Sequence, residues 1–262
     1  MTASRGRGVR RGSGFELTGK VALVTGGGVR VGRAIATELG RAGATVAVHY
    51  RNSVRGAGAA TREIERGGGR ARAFGADLLD RGAALRLVSE VVAWGGRLDF
   101  LVCSAAGFDG RALGQIDDEA WDRMLDLNLG APFRLARAAA PHLQRSGGAI
   151  VNILDVAALT AWKGFAHYCT AKAGLAMLTR CLALELAPRV RVCGVAPGTV
   201  AFPISYGQQA QKRVLERIPL GRVGSPADVA RAVRYLATAE YVTGSILAVD
   251  GGRLAGMAAA AL

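Results

Sequence analysis

The chain has 262 residues, 50% of them hydrophobic and 21% charged, a composition that excludes a disordered polymer and suits one large α/β domain or two small ones. Lys+Arg number 34 against 20 Asp+Glu, giving a formal charge of +14, and nearly all of the basic residues are Arg, since Lys occurs only at 20, 163, 172 and 212. No run approaches the roughly 18 apolar residues of a membrane span, and Cys103, Cys169, Cys181 and Cys193 form neither a CxxC pair nor a metal-ligand spacing with His. A soluble, cytoplasmic chain with reduced, mostly buried thiols and no metal site is therefore expected.

Residues 1–14 carry Arg5, Arg7, Arg10 and Arg11 with no acid and almost no large apolar side chain, so they read as a disordered basic tail. No aromatic residue is interleaved to stack on bases, and a nucleic-acid partner is not expected. Residues 15–262 show no further break and are taken as one domain. Seven short apolar runs read as strands: Lys20–Thr25, Thr45–Tyr50, Ala71–Gly75, Leu98–Cys103, Ala149–Leu154, Arg191–Ala196 and Ser245–Val249. Helical patterns lie between them at Gly32–Ala42, Val54–Arg66, Asp80–Trp94, Glu119–Gln144, Ala166–Ala187 and Pro226–Ala237. Continuous apolar strands alternating with helices predict a doubly wound, Rossmann-like α/β fold with a seven-stranded, mainly parallel sheet covered on both faces.

The first strand runs into Thr25-Gly26-Gly27-Gly28-Val29-Arg30-Val31-Gly32 and then an amphipathic helix, a turn through which a backbone approaches a pyrophosphate. No Asp or Glu lies between Gly43 and Arg62, where an NAD site usually keeps an acid for the ribose 2′-OH. Arg30, Arg51 and the Ser53 hydroxyl offer charge-assisted bonds to a 2′-phosphate instead, so NADPH is favoured over NADH. Further along, Tyr168 and Lys172 stand four apart at the start of a helical pattern and share a face, with Asp155 at the end of the preceding strand. A phenol beside an ammonium is expected to have its pKa lowered toward useful proton transfer.

Thr25–Gly32, Asn128-Leu129-Gly130, Tyr168-x-x-x-Lys172 and Pro197-Gly198, in this order, resemble the short-chain dehydrogenase/reductase family over about Gly19–Gly252. Arg30 in place of a turn glycine, His49-Tyr50-x-x-Ser53 at the second strand end and Asp155 in place of a Ser are similar to its pteridine reductase branch. The resemblance implies Tyr168 as proton donor, Lys172 on the nicotinamide ribose, Asp155 as pterin ligand or proton relay, and Asn128 holding a water behind Lys172. It places Gly26, Arg30, Val31, His49, Tyr50, Arg51, Ser53, Asp77, Leu78, Ser104, Ala105, Lys172, Pro197 and Gly198 around NADPH. Arg30, Phe108, Asp155, Tyr168 and Phe202 would face a pterin, with Phe108 stacking on it.

Cys103-Ser104-Ala105-Ala106 departs from the two Asn and Ala that the family carries there. Val200–Gln211, with Phe202, Ile204 and Tyr206, is expected to form a lid, and Trp162 and Phe165 an opposite wall or a subunit contact. A pterin or dihydrofolate-like C=N bond is the leading substrate. The alternative is a ketone or 3-oxoacyl thioester, whose developing alkoxide an ionised Asp155 would repel; a non-catalytic NADP(H) sensor is a minor third reading. The Ala- and Leu-rich segments Glu119–Gln144 and Ala166–Ala187 carry more apolar surface than one sheet face needs, and the resemblance implies a homotetramer built on them.

Overall fold

A computed structural model describes residues 16–202 and 207–259. The basic tail at 1–14, and Ile204 and Tyr206 of the expected lid, lie outside the described residues. Strands β1 (Val21–Val24), β2 (Thr45–Tyr50), β3 (Ala71–Gly75), β4 (Phe100–Cys103), β5 (Ala149–Ile153), β6 (Arg191–Pro197) and β7 (Ile246–Val249) form one sheet in the order β3-β2-β1-β4-β5-β6-β7. All six pairings are parallel. Strand order reverses between β1 and β4, and at the carboxyl end of that boundary two loops diverge and leave a crevice.

Parallel neighbours require crossovers, and the helices supply them on both faces. One core packs α1 (Arg30–Arg41), α2 (Val54–Arg66) and α8 (Pro226–Thr238) on the sheet through Ile35, Leu39, Ile64, Val229 and Val233. The opposite core packs α3 (Ala83–Gly95), α5 (Ala131–Ser146) and α6 (Ala166–Glu185) through Leu87, Val91, Leu135, Leu143 and Leu182. Leu23, Val24, Leu101 and Val102 of the central strands are wholly buried, which explains why these strands read as unbroken apolar runs rather than alternating ones. Asp99, just before β4, is buried but accepts from Val21 N–H (2.9 Å) and pairs with Arg97 (2.6 Å) and Lys20 (3.3 Å), so its charge is compensated.

The largest departure from the sequence reading concerns Glu119–Gln144, expected as one helix. It is α4 (Asp118–Leu125), a π-helical turn over Asp126–Gly130, and then α5. Arg134 of α5 reaches back to Asp126 of that turn (2.6 Å) and to Leu78 C=O (2.9 Å), and a Cβ on Gly130 would come within 2.6 Å of Asp126 Oδ1. Such single π turns are frequent at functional sites, and this one carries Asn128 inward. Two further helices, α7 (Gln208–Leu215) and α9 (Arg253–Ala259), were not anticipated. The thiols differ as well: Cys103 and Cys193 are buried and Cys169 is half-buried, but Cys181 is exposed, because it falls on the outward side of α6. Among the described residues no helix is long and apolar enough to cross a membrane, and no cluster of His, Cys, Asp or Glu is arranged to hold a metal.

Candidate active site

The crevice at the strand ends opens into a single cavity of about 1190 Å³. At its β1 end, Thr25 Oγ1 accepts the backbone N–H groups of Ser104 (2.9 Å) and Ala105 (3.1 Å), tying the glycine turn to the end of β4. Gly26 has φ +63°, and a Cβ there would sit 3.0 Å from Ala105 Cα; one on Gly32 would meet Gly26 O at 2.2 Å. Both positions need glycine for close approach, and Gly26 for backbone freedom as well. His49 Nδ1 accepts from Gly26 N–H (3.2 Å) while its Nε2 bonds Ala76 C=O (3.0 Å), and burial lowers its pKa. With both nitrogens committed, His49 holds the turn in place from beneath.

Helix α1 begins at this turn with no side-chain cap, and Val29, Arg30, Val31 and Gly32 line the cavity. Its unsatisfied N–H groups and dipole suit an anion. Arg30 has φ +47°, the only non-glycine residue with positive φ among the described residues, a conformation that costs about 1–2 kcal/mol. Tyr50, Arg51 and Ser53 at the β2 end, Asp77 and Leu78 after β3, and Ser104 and Ala105 after β4 also line it. Asp77 Oδ1 accepts from Leu79 N–H at 3.0 Å, which fixes its carboxylate. Glycine turn, uncapped helix and clustered Arg fit a dinucleotide, and the absence of an acid at the β2 end fits a 2′-phosphate.

The middle of the cavity holds the titratable groups. Asp155 follows β5; its Oδ1 accepts from Ala157 N–H (2.9 Å) and its Oδ2 from the Tyr168 hydroxyl (2.9 Å). Burial raises its pKa against the pull of those bonds and of Lys172 and Arg253. Lys172 is 2% exposed, donates to Ile153 C=O (3.0 Å) and lies 5.8 Å from the Tyr168 ring centroid; burial pulls its pKa down to about 8. The expected lowering of the Tyr168 pKa is reversed in this structure. Burial and then the Asp155 charge push it up, and the ammonium is held on a backbone carbonyl rather than at the phenol oxygen. Asn128 Nδ2 donates to Gly107 C=O (3.2 Å) and Met124 C=O (3.1 Å), while its buried Oδ1 has no protein partner among the described residues. A buried, unpaired amide oxygen is a ready acceptor for a water. Cys103 lies close enough to feel Lys172, but burial pushes its thiol up to about 12, so it is inert.

Aromatic rings form the far wall. Phe108, 59% exposed, stacks on Phe165 (5.0 Å, 24°) and meets the Tyr168 ring edge-on (5.0 Å); Trp162 lies 5.8 Å from Phe165. Pro197 and Gly198 end β6 in the lining, followed by Thr199, Val200 and Ala201. Phe202, expected to face the substrate, is half-buried and is not part of this lining; the cavity wall is taken up again by Val214 near the end of α7 and by Glu216 and Arg217 beyond it. Sequence reasoning missed Arg253, which also lines the cavity. Its position directly after Asp250-Gly251-Gly252, at the carboxyl end of β7, was the available signal.

A parallel sheet with the Tyr168/Lys172 pair at its strand ends and a glycine turn at its switch point defines a short-chain dehydrogenase/reductase. The chain belongs to that family and is an oxidoreductase. Residues 28–253 match a family profile described as Enoyl-(Acyl carrier protein) reductase. The chain is 37% identical over 246 residues to 3beta-hydroxysteroid dehydrogenase 1 of Eggerthella lenta, covering 90% of this chain and 94% of that protein. It is 36% identical over 239 residues to the 3-oxoacyl-(acyl-carrier-protein) reductase FabG of Staphylococcus aureus, covering 89% and 97%. Among solved structures, a dehydrogenase/reductase from Sinorhizobium meliloti superposes with a TM-score of 0.87 at 39% identity, covering 92% of this chain and 97% of that one.

Proposed function

We propose that this protein is an NADPH-dependent carbonyl reductase acting on a ketone or a 3-oxoacyl thioester. The observation that carries the reading is the Tyr168 hydroxyl, buried at the strand ends with Asp155 beside it and Lys172 behind it. The names of the relatives, an oxoacyl reductase and a hydroxysteroid dehydrogenase, support a C=O substrate over the C=N bond of a pterin. A reduced nicotinamide bound in the cavity supplies the hydride. Tyr168 gives its proton to the carbonyl oxygen, and Asp155, whose pKa burial raises, adds a second donor there when it is neutral. Lys172 holds the nicotinamide ribose and offsets the phenolate that forms, and Asn128 Oδ1 anchors a water through which Lys172 is reprotonated. Arg30, Arg51 and Ser53 receive the 2′-phosphate, with Asp77 at the adenine.

The exposed Phe133, Met177 and Leu184 on α5 and α6 support a homo-oligomer through these helices, a tetramer by family resemblance. The pterin reading retains one specific support, the open face of Phe108 beside an Asp-Tyr pair. Purified protein is assayed for NADPH oxidation with acetoacetyl-CoA, a cyclic ketone and dihydrobiopterin. Turnover of either carbonyl is expected; turnover of dihydrobiopterin alone overturns the proposal in favour of the pterin.

A further inference from the structure

Arg253 opens α9 and reaches the cavity from the last strand. Its Nη1 donates to Thr199 Oγ1 (3.2 Å), and its guanidinium lies 5.5 Å from the centroid of the Trp162 ring. It makes no ion pair among the described residues, whereas Arg134 and Arg234, also part-covered, pair with Asp126 and Glu38. A guanidinium has five N–H donors, and only one is used by a described residue. An Arg held in a crevice by a ring and a hydroxyl, with most donors unspent, is prepared for a planar oxyanion.

The surrounding charge agrees. Lys163 neighbours Trp162 at this end, and Arg217, Glu216 and Asp155 line the same cavity, where burial disfavours the charge on Asp155. The apolar part of the same end is made of ring faces, Phe108, Phe165 and Trp162, which favour a flat body over a flexible chain. Trp162 carries Arg253 on one side, and its ring centroid is 6.4 Å from that of Tyr168. These two distances, 5.5 and 6.4 Å, bound the gap between the Arg253 guanidinium and the Tyr168 ring at about 12 Å.

We propose that Arg253 is a specificity-determining residue that receives the carboxylate of an aryl or cyclic keto acid, whose ring lies against the Phe108–Phe165–Trp162 wall. This rests on the carbonyl-reductase reading for its reaction but not for its binding, and the two are separable by experiment. Binding of 4-phenylbutyrate and of its uncharged amide to the NADP⁺-loaded protein is measured by calorimetry, in the wild type and in Arg253→Met, Arg253→Gln and Arg253→Lys. The acid is expected to bind at least tenfold more tightly than the amide. That ratio falls toward one in the Met and Gln variants and is partly kept in Lys.

Turnover of 3-benzoylpropionate and its methyl ester is compared in parallel, with the acid favoured through KM in the wild type only. Equal binding of acid and amide by the wild type, failure of the acid to bind, or an equal loss for both probes in the Met and Gln variants overturns the proposal; the last outcome marks Arg253 as a packing residue for Trp162. An acid preference that depends on Arg253 while neither ketone is reduced leaves the anion site standing and overturns the reaction assigned to it.

Discussion

Replacing Lys172 by Met tests the electrostatics of the site through stability as well as activity. Met has similar length and no charge. Burial lowers the Lys172 pKa from 10.5 to about 8, and at 1.36 kcal/mol per unit the buried ammonium costs the fold about 3 kcal/mol at pH 7. Losing its bond to Ile153 C=O, which leaves a buried carbonyl unpaired, costs about 1–2 kcal/mol in return. The variant is therefore expected to be more stable than the wild type by about 1–2 kcal/mol at pH 7, and inactive.

The sign with pH is specific. The folded pKa lies below the unfolded one, so between about 8 and 10.5 the unfolded chain holds the proton more firmly, and wild-type stability rises with pH across that window. By pH 9.5 roughly half of the penalty has gone, and the advantage of Lys172→Met is expected to shrink by about 2 kcal/mol or change sign. Urea unfolding followed by circular dichroism at both pH values, at one fixed protein concentration, measures it. A difference between the two proteins that stays constant from pH 7 to 9.5 would refute the claim that Lys172 is a strained, buried cation.

Turnover is expected to fall as pH rises through about 8, where Lys172 loses its proton, and Asp155→Asn is expected to leave that limb in place while slowing turnover; a pH–rate profile of both proteins reads this. Arg51→Ala is expected to lower the NADPH-to-NADH ratio of kcat/KM about tenfold, the loss of one charge-assisted bond, and an unchanged ratio would remove Arg51 from the 2′-phosphate site. Thr25→Val keeps shape but strands the N–H groups of Ser104 and Ala105; a loss of about 2 kcal/mol in urea unfolding is expected, together with weaker dinucleotide binding by fluorescence titration.

The parts of the fold that were legible in the sequence are those fixed by local pattern. The strands are short apolar runs because both sheet faces are covered, and the helices between them follow from periodicity; boundaries moved by one to three residues, in one case because a side chain closes a turn ahead of the helix. Asp80, read as helical, instead accepts from Gly82 N–H (2.9 Å), and α3 starts at Ala83. The π turn at Asp126–Gly130 was not legible, because it depends on Arg134 reaching Leu78 C=O, a contact between residues 56 apart in sequence. Helix α7 was hidden by its polar sequence, Gln-Gln-Ala-Gln-Lys-Arg, which has good helix propensity but no buried residue to give it a period.

In the site, residue identity was legible but the direction of the interactions was not. Tyr168, Lys172 and Asp155 stand out by spacing and by strand-end position, and from them an ammonium-activated phenol followed naturally. The structure turns the Tyr168 hydroxyl to Asp155 and the Lys172 ammonium to Ile153 C=O, because a buried cation and a buried phenol each take the nearest strong acceptor. A substrate carbonyl must therefore compete with Asp155 for the proton of Tyr168. An ionised Asp155 wins that competition, since a carboxylate is the stronger acceptor; a neutral Asp155 loses it and turns its own proton toward the same oxygen. Burial thus decides whether replacing a hydroxyl by a carboxyl blocks carbonyl reduction or supports it. Asp155→Ser separates the cases at pH 7: unchanged or reduced turnover follows if Asp155 is a neutral donor in the working site, and a marked gain follows if it is an ionised competitor.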